Sequence, residues 1–450
     1  MTADLEKPEK TQKRFYVGRS LAAFWLFGIC NNFAYVVMLS AAQDILRVEE
    51  MSSGNLTVAE EVCLPDRSHR VCTQESAGLV LMLNILPMFF VKLIAPFFID
   101  YLPYGTRNAL VVITQAMALL ITAFATSVPV ALTGVAVASI SCGFGEMMYL
   151  GLAAHYSANT ITSWSSGTGM AGILGSILYA AMTDPRMLGL SPKISLLLML
   201  IAPFIFTLTY WMVLVRAPTV RKTVFYEPRT WIDWGPRSNV ERLKEERERP
   251  SDEEEDRKSD TFVEIYGSYS SLRQKISITL GLMKYMVPLG TVFFAQYFIN
   301  QGLAELIVFD CDNSFHSSPE SQYKWYQVLY QIGIFISRSA ISLIPMPFWV
   351  IAWMLPLSQL SILGVLLVET LSPYFPHIIA AYGIIFLEGL TGGSAYGNTV
   401  RHVHQNVSPS IKEFALLIVT VSDTVGILLA AALAIPTHNQ ICGMPYYKWF

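Results

Sequence analysis

Charge is what this 450-residue chain has least of. Only 14% of its residues are Asp, Glu, Lys or Arg, against 53% hydrophobic, with a mean hydropathy of +0.43. Soluble domains carry about 25% charged residues, so this chain cannot clothe a water-facing surface of its size. Cysteine is scarce too: six residues, scattered, too few for a disulfide framework. The formal charge of −3 offers no basic face to a nucleic acid. No G-x-x-x-x-G-K-[ST] cradles a nucleotide, no H-E-x-x-H or zinc-spaced Cys/His set holds a metal, and no G-x-S-x-G elbow presents a serine. These gaps argue against a soluble enzyme, an ATP-driven pump and a metal-dependent hydrolase, and no cofactor is expected. Ser166 with His155 is the nearest thing to an intramembrane hydrolase pair, and it is weak. His402 and His404 read as part of a positive cytosolic loop with Arg401.

What is present is apolar and aromatic. The 25 Phe, 21 Tyr and 9 Trp suit membrane interfaces. A helix needs about 20 apolar residues to cross about 30 Å of hydrocarbon. Such stretches fall at 17–46, 77–101, 109–127, 130–153, 164–183 and 191–216, then at 276–307, 323–345, 347–369, 376–399 and 413–436. The expected fold is an all-α polytopic membrane protein of eleven spans. Between the two groups, residues 217–275 hold 12 of the 31 Lys/Arg and 13 of the 34 Asp/Glu. That is the composition of a solvated linker. The expected order is a tail (1–16), a six-helix bundle (17–216) with a loop at 47–76, the linker (217–275), a five-helix bundle (276–436) and a second tail (437–450).

Lys7, Lys10, Lys13 and Arg14 precede the first span and Arg19 lies at its start, while the next loop has more acidic than basic residues. The positive-inside rule then puts the N-terminus and the linker in the cytosol. An odd number of spans puts the C-terminus on the far side. Asn55-Leu56-Thr57, in the loop at 47–76, is a glycosylation acceptor that needs a lumenal or extracellular face. Cys63 and Cys72 share this loop and are candidates to pair with each other in an oxidising compartment. Cys30 and Cys142 read as small apolar fillers within spans. Asn406-Val407-Ser408 falls on the cytosolic side before Pro409 and is discounted.

Charged side chains at bilayer depth are costly and usually face a bundle interior. The candidates are Asp44, Lys92, Glu146, Glu305, Arg338, Glu388 and Asp423. Lys92 and Arg338 are long enough to snorkel toward an interface. Glu146 and Glu388 are too short and sit deep among glycines, which favours function. Asp423 suits a buried ion pair as well as a ligand. These residues recur in order in the two halves. Asn31 and Asn32 in span 1 correspond to Tyr297, Asn300 and Gln301 in span 7, Lys92 to Arg338, and Glu146 to Glu388. Two parallel units with binding groups at their interface describe a major-facilitator-type transporter. Glycines at helical spacing, Gly169 with Gly172 and Gly389 with Gly393 and Gly397, predict close helix contacts.

Long blocks of the chain resemble the battenin family of lysosomal membrane proteins. They include WLFGICNNFAYVVMLSAAQDIL from Trp25, VKLIAP from Val91, SWSSGTGMAG from Ser163, YFINQGLAEL from Tyr297 and LEGLTGGSAYGNT from Leu387. The resemblance implies a major-facilitator-like fold of eleven spans in the lysosomal and late endosomal membrane. It also implies export of glycerophosphodiesters, such as glycerophosphoglycerol, and a part in lysosomal pH. In fungal relatives it implies a part in vacuolar basic amino acid balance. Mammalian members end in a Cys-containing prenylation box. This chain ends in Tyr446-Tyr447-Lys448-Trp449-Phe450, so no lipid anchor is expected. Tyr269-Ser270-Ser271-Leu272 has the form of a tyrosine-type sorting signal.

On this reading the partners are membrane lipids, a small anionic glycerophosphodiester and protons. The substrate would draw on Lys92 and Arg338 for charge. Asn31, Asn32, Tyr297, Asn300 and Gln301 would take its hydroxyls. Glu146 and Glu388, with Glu305 and Asp423 as further buried ionisable groups, would carry protons. Two other readings stay open: a scaffold recruiting trafficking proteins through the linker, and a carrier of basic amino acids such as arginine.

Overall fold

The structure is a computed structural model. It describes residues 15–34, 36–37, 63–67, 72, 77–183, 187–220, 223, 227, 230–231 and 272–444. Asp44, Asn55, Tyr269 and most of the linker lie outside these residues. All regular structure among the described residues is helical. Helix α1 covers residues 15–34. The N-terminal half continues with α2 (Ala77–Ile94), α3 (Tyr104–Ala123), α4 (Val128–Ala153), α5 (Asn159–Thr183) and α6 (Pro192–Val213). The C-terminal half holds α7 (Leu272–Leu306), α8 (Pro319–Ser339), α9 (Val350–Leu371), α10 (Ile378–Asn406) and α11 (Pro409–Gly443). Seven of these, α3, α4, α6, α7, α9, α10 and α11, are long and apolar enough to cross a membrane. The expected eleven spans go beyond these seven. The sequence reading put His402 and His404 in a loop, but helix α10 runs on to Asn406, so both are helical. His404 is buried with its Nε2 3.0 Å from the Ala153 carbonyl.

Helix starts follow local chemistry. Ser191 and Ser318 cap α6 and α8, accepting from the backbone N–H groups of Ile194 and Ser321, and each is followed by a proline. Proline at the first helical position loses a donor that has no partner there anyway. Three helices widen into π turns, at Thr209–Val213, Ile299–Leu303 and Val350–Met354. The second carries Asn300 and Gln301. Such bulges re-aim side chains and concentrate at functional sites.

The halves meet mainly along two seams, α2 against α11 and α5 against α8, with further contacts of α4 with the start of α11 and of α5 with α10. Within the C-terminal half, α8 lies on α10. There Gly389 faces the backbone of Tyr330 and Gly333, Gly393 faces Ile334 and Ser337, and Gly397 faces Ile341, so an added Cβ would overlap the neighbouring helix. Across the α5–α8 seam, Gly169 faces the Phe335 backbone and Gly172 the Gln331 side chain. Small residues here let backbones touch. The N-terminal core is an aromatic stack: Tyr149 of α4 lies on Phe27 of α1, Trp164 of α5 and Phe206 of α6, with centroids 4.3, 5.6 and 5.1 Å apart.

Cysteine pairing differs from the expected Cys63–Cys72 bridge. Cys63 is bonded to Cys311, between α7 and α8, and Cys72 to Cys442, in the last turn of α11. Proximity in sequence suggested the local pair. The fold instead lays the segment 63–67 on the C-terminal half. The Cys311 N–H donates to the Leu64 carbonyl at 2.8 Å. Arg67 forms an ion pair with Glu369 at 3.0 Å, donates to the Val308 and Phe375 carbonyls, and stacks on Phe309. Glu369 also accepts from the N–H groups of Tyr374 and Phe375. This strap ties the α1–α2 loop to the other half at one end of the bundle.

The opposite end is closed by side chains. Glu413 of α11 accepts from Tyr104, pairs with Arg107 at 3.1 Å and lies 3.7 Å from His155. Arg401 of α10 reaches Asn159 and Thr162 of α5 and Ser342. Lys275 is buried and donates to the Pro96 and Phe97 carbonyls. Helix α7 begins at Leu272, four residues before the expected span, and Leu272 is exposed.

Candidate functional site

Three chain-distant charges converge between the halves. Lys92, in the last turn of α2, is 1% exposed. Its Nζ lies 2.6 Å from Glu146 of α4 and 2.9 Å from Asp423 of α11, and it donates to the Thr420 carbonyl at 3.2 Å. Thr424 donates to the same Asp423 oxygen. The expected snorkelling of Lys92 does not occur. A buried ammonium with two carboxylates and a carbonyl has its hydrogen bonds satisfied, which is the condition for tolerating it.

Glu146 has a second partner. The Tyr396 hydroxyl of α10 donates to it at 2.6 Å and accepts from Trp164 Nε1 at 3.3 Å. Tyr396 thereby joins the N-terminal aromatic stack to the charge cluster. Over its ring, 4.5 Å from the centroid, sits the guanidinium of Arg338. Arg338 also crosses the seam, donating to Thr168 at 2.7 Å. Its buried Nε has no hydrogen-bond partner, and among the described residues no carboxylate pairs with it. Lys92 and Arg338 therefore differ in state: one is saturated by acids, the other is not.

A second polar group lies wholly within the C-terminal half. Glu388 is fully buried and accepts from Asn300 Nδ2 at 2.7 Å. Its Oε2 has no donor, and no cation pairs with it among the described residues. Asn300 Oδ1 accepts from Gln327, and the Tyr323 hydroxyl donates to the Asn300 carbonyl. Gln296, one turn before Asn300, donates to Tyr330. The π turn at Ile299–Leu303 brings Asn300 onto this carboxyl.

The other sequence candidates take lesser places. Asn31 is buried against Cys142, donating to its carbonyl at 3.1 Å, and Asn32 accepts from the Cys142 thiol. Both sit in the N-terminal half, Asn31 against Gly145. Tyr297 is half-buried and stacks on Phe293, and Gln301 is half-buried. Glu305 lies in a short 3₁₀ turn at the end of α7, away from the ion cluster. Sequence reading passed over Tyr396, Trp164, Thr168 and Gln296. One signal was available for Tyr396: it follows Glu388 by eight residues, which is the same helix face.

This arrangement, two helical halves with charged and polar side chains packed between them, is that of the major facilitator fold. A human organic anion transporter, MFSD10, superposes with a TM-score of 0.55 at 13% identity, covering 94% of each chain. A peptide transporter, POT, gives 0.54 at 12% identity, covering 94% of this chain and 91% of that one. The chain belongs to the CLN3 protein family, whose model matches residues 22–444. Battenin of Canis lupus familiaris is 37% identical over 445 residues, 98% of this chain and 95% of that one. Protein btn-1 of Neurospora crassa is 34% identical over 446 residues, 93% of this chain and 88% of its own.

Proposed function

We propose that this protein is a lysosomal membrane transporter that exports small anionic glycerophosphodiesters from the lumen to the cytosol, coupled to protons. The observation that carries the reading is Arg338, a guanidinium at the seam between the halves that has no carboxylate partner among the described residues. Arg338 is half-buried with a buried Nε that has no acceptor, and an arriving phosphodiester supplies that acceptor in a bidentate hydrogen-bonded pair. Lys92 is withdrawn from this role, because Glu146 and Asp423 already hold it. One anionic charge thus needs one arginine, with Thr168, which Arg338 already contacts, and Tyr297 as candidates to serve hydroxyl groups. The name of MFSD10, an organic anion transporter on the same fold, is in keeping with an anionic cargo.

Glu388 is the proposed proton carrier. A lone carboxylate is costly to bury charged, and a carboxylic acid is not. Glu146, by contrast, has a cation of its own and acts as part of the ion cluster. The end that carries the two disulfides is placed in the lumen, an oxidising compartment.

The test is uptake of glycerophosphoglycerol by proteoliposomes holding the purified chain. Uptake is expected to follow an imposed pH gradient, to be lost in Arg338→Ala, and to become independent of the gradient in Glu388→Gln. Uptake unaffected by Arg338→Ala overturns the assignment of the anion site. Competition by arginine would favour a basic amino acid carrier. No uptake of either solute would favour a trafficking scaffold acting through the linker.

A further inference from the structure

The Tyr396 hydroxyl lies where the arginine, the ion cluster and the two halves meet. Its oxygen is pinned from the N-terminal half by Trp164 Nε1, and its proton goes to Glu146 Oε1. Its ring carries Arg338. A phenol has one proton to donate. In this structure Glu146 holds it. An anion on Arg338 brings a second strong acceptor to the same ring. Rotation about the C–O bond is enough to turn the proton toward it, while the Trp164 bond keeps the oxygen in place.

We infer that Tyr396 reports anion binding at Arg338 to the Lys92–Glu146–Asp423 cluster, by turning its single hydroxyl proton from Glu146 to the bound anion. Glu146 then relies on Lys92 alone. Lys92 is also the group that joins α2 to Asp423 of α11, so the change is felt along a seam between the halves. Occupancy of the arginine and the holding of that seam become one event. The inference rests on reading Arg338 as the anion site.

The Phe and Leu variants separate the hydroxyl from the ring. Tyr396→Phe keeps the face under Arg338 and removes only the donor. With glycerophosphoglycerol as the probe in proteoliposomes, its KM is expected to stay within about twofold of the parent. Turnover is expected to fall about tenfold, the scale of one charge-assisted hydrogen bond. Tyr396→Leu loses the ring as well and should raise KM. In detergent, the rise in melting temperature caused by glycerophosphoglycerol should persist in Tyr396→Phe and vanish in Arg338→Ala. Parent-like turnover in Tyr396→Phe overturns the role, and so does a raised KM with turnover intact. Should Tyr396→Phe fail to fold, Glu146→Gln weakens the competing acceptor and should tighten probe binding. Asp423→Asn, which loosens Lys92 without touching Tyr396, should not. Equal tightening in both overturns the inference. A parent protein that neither binds nor moves the probe overturns the anion site itself, and the role of Tyr396 with it.

Discussion

Lys92 and Asp423, 331 residues apart in the chain, meet at 2.9 Å with both side chains buried. The contact joins the N-terminal and C-terminal halves through a group that Glu146 shares. Removing one member of such a cluster leaves uncompensated charge. Lys92→Met should therefore cost about 3–5 kcal/mol, read as a lower unfolding midpoint in detergent. Asp423→Asn leaves Lys92 paired to Glu146 and should cost about 1–3 kcal/mol. Adding Glu146→Gln and Asp423→Asn to Lys92→Met should recover most of the loss, because no unpaired charge remains. A triple variant as unstable as Lys92→Met would contradict the electrostatic account.

The strap makes a separate prediction about Arg67. Its partner Glu369 has a fully buried side chain. Arg67→Ala leaves that carboxylate with two backbone donors and no cation, at a cost of about 3 kcal/mol. Arg67→Lys keeps the charge but cannot also span the Val308 and Phe375 carbonyls, and should recover only part of it. Thermal melts of the two variants, with Glu369→Gln as a third, check the order.

The disulfides can be read on a gel. A protease site placed in the charged linker cuts the chain between its halves. The cut protein, with free thiols blocked, should run as one species without reductant and as two with it. Cys63→Ser or Cys72→Ser alone should leave the halves joined, and the double variant should not. Separation of the parent halves without reductant would exclude both inter-half bonds.

The glycine contacts predict a contrast at fixed chemistry. Gly389→Ala and Gly333→Ala place a methyl group against the backbone of the facing helix, and each should destabilise by about 1–3 kcal/mol. Gly364→Ala and Gly383→Ala meet nothing within 4 Å. They should be neutral or stabilising by up to about 1 kcal/mol. Melting temperatures of the four variants test this directly.

Much of the fold and some of the site was legible in the sequence. Low charge with long apolar runs specified a helical membrane protein, and the order of Lys92, Glu146, Arg338 and Glu388 pointed to two units of similar build. Glycine spacing in α10 foretold its close contact with α8. Pairing was not legible, because it is decided by helices hundreds of residues apart. Lys92 and Arg338 look equivalent in sequence, and only packing shows that one is saturated with carboxylates. Cys63 and Cys72 look like partners until the chain returns with Cys311 and Cys442. Tyr396 is one of 21 tyrosines, and its spacing from Glu388 puts it on a polar helix face without marking it as the one that meets Glu146.

The contact of α8 with α10 through Gly333 and Gly389 makes these helices a single plate that carries Arg338, Glu388 and Tyr396 together. Thr168, Glu146 and Lys92 belong to the other half. Distances within the plate should stay fixed whatever the protein does, while Arg338–Thr168, Tyr396–Glu146 and Lys92–Asp423 must lengthen whenever the halves part. The molecule thus carries its own ruler: one set of separations is the scale, the other the reading, and spin labels on either side of each seam would record a transport cycle against an internal standard.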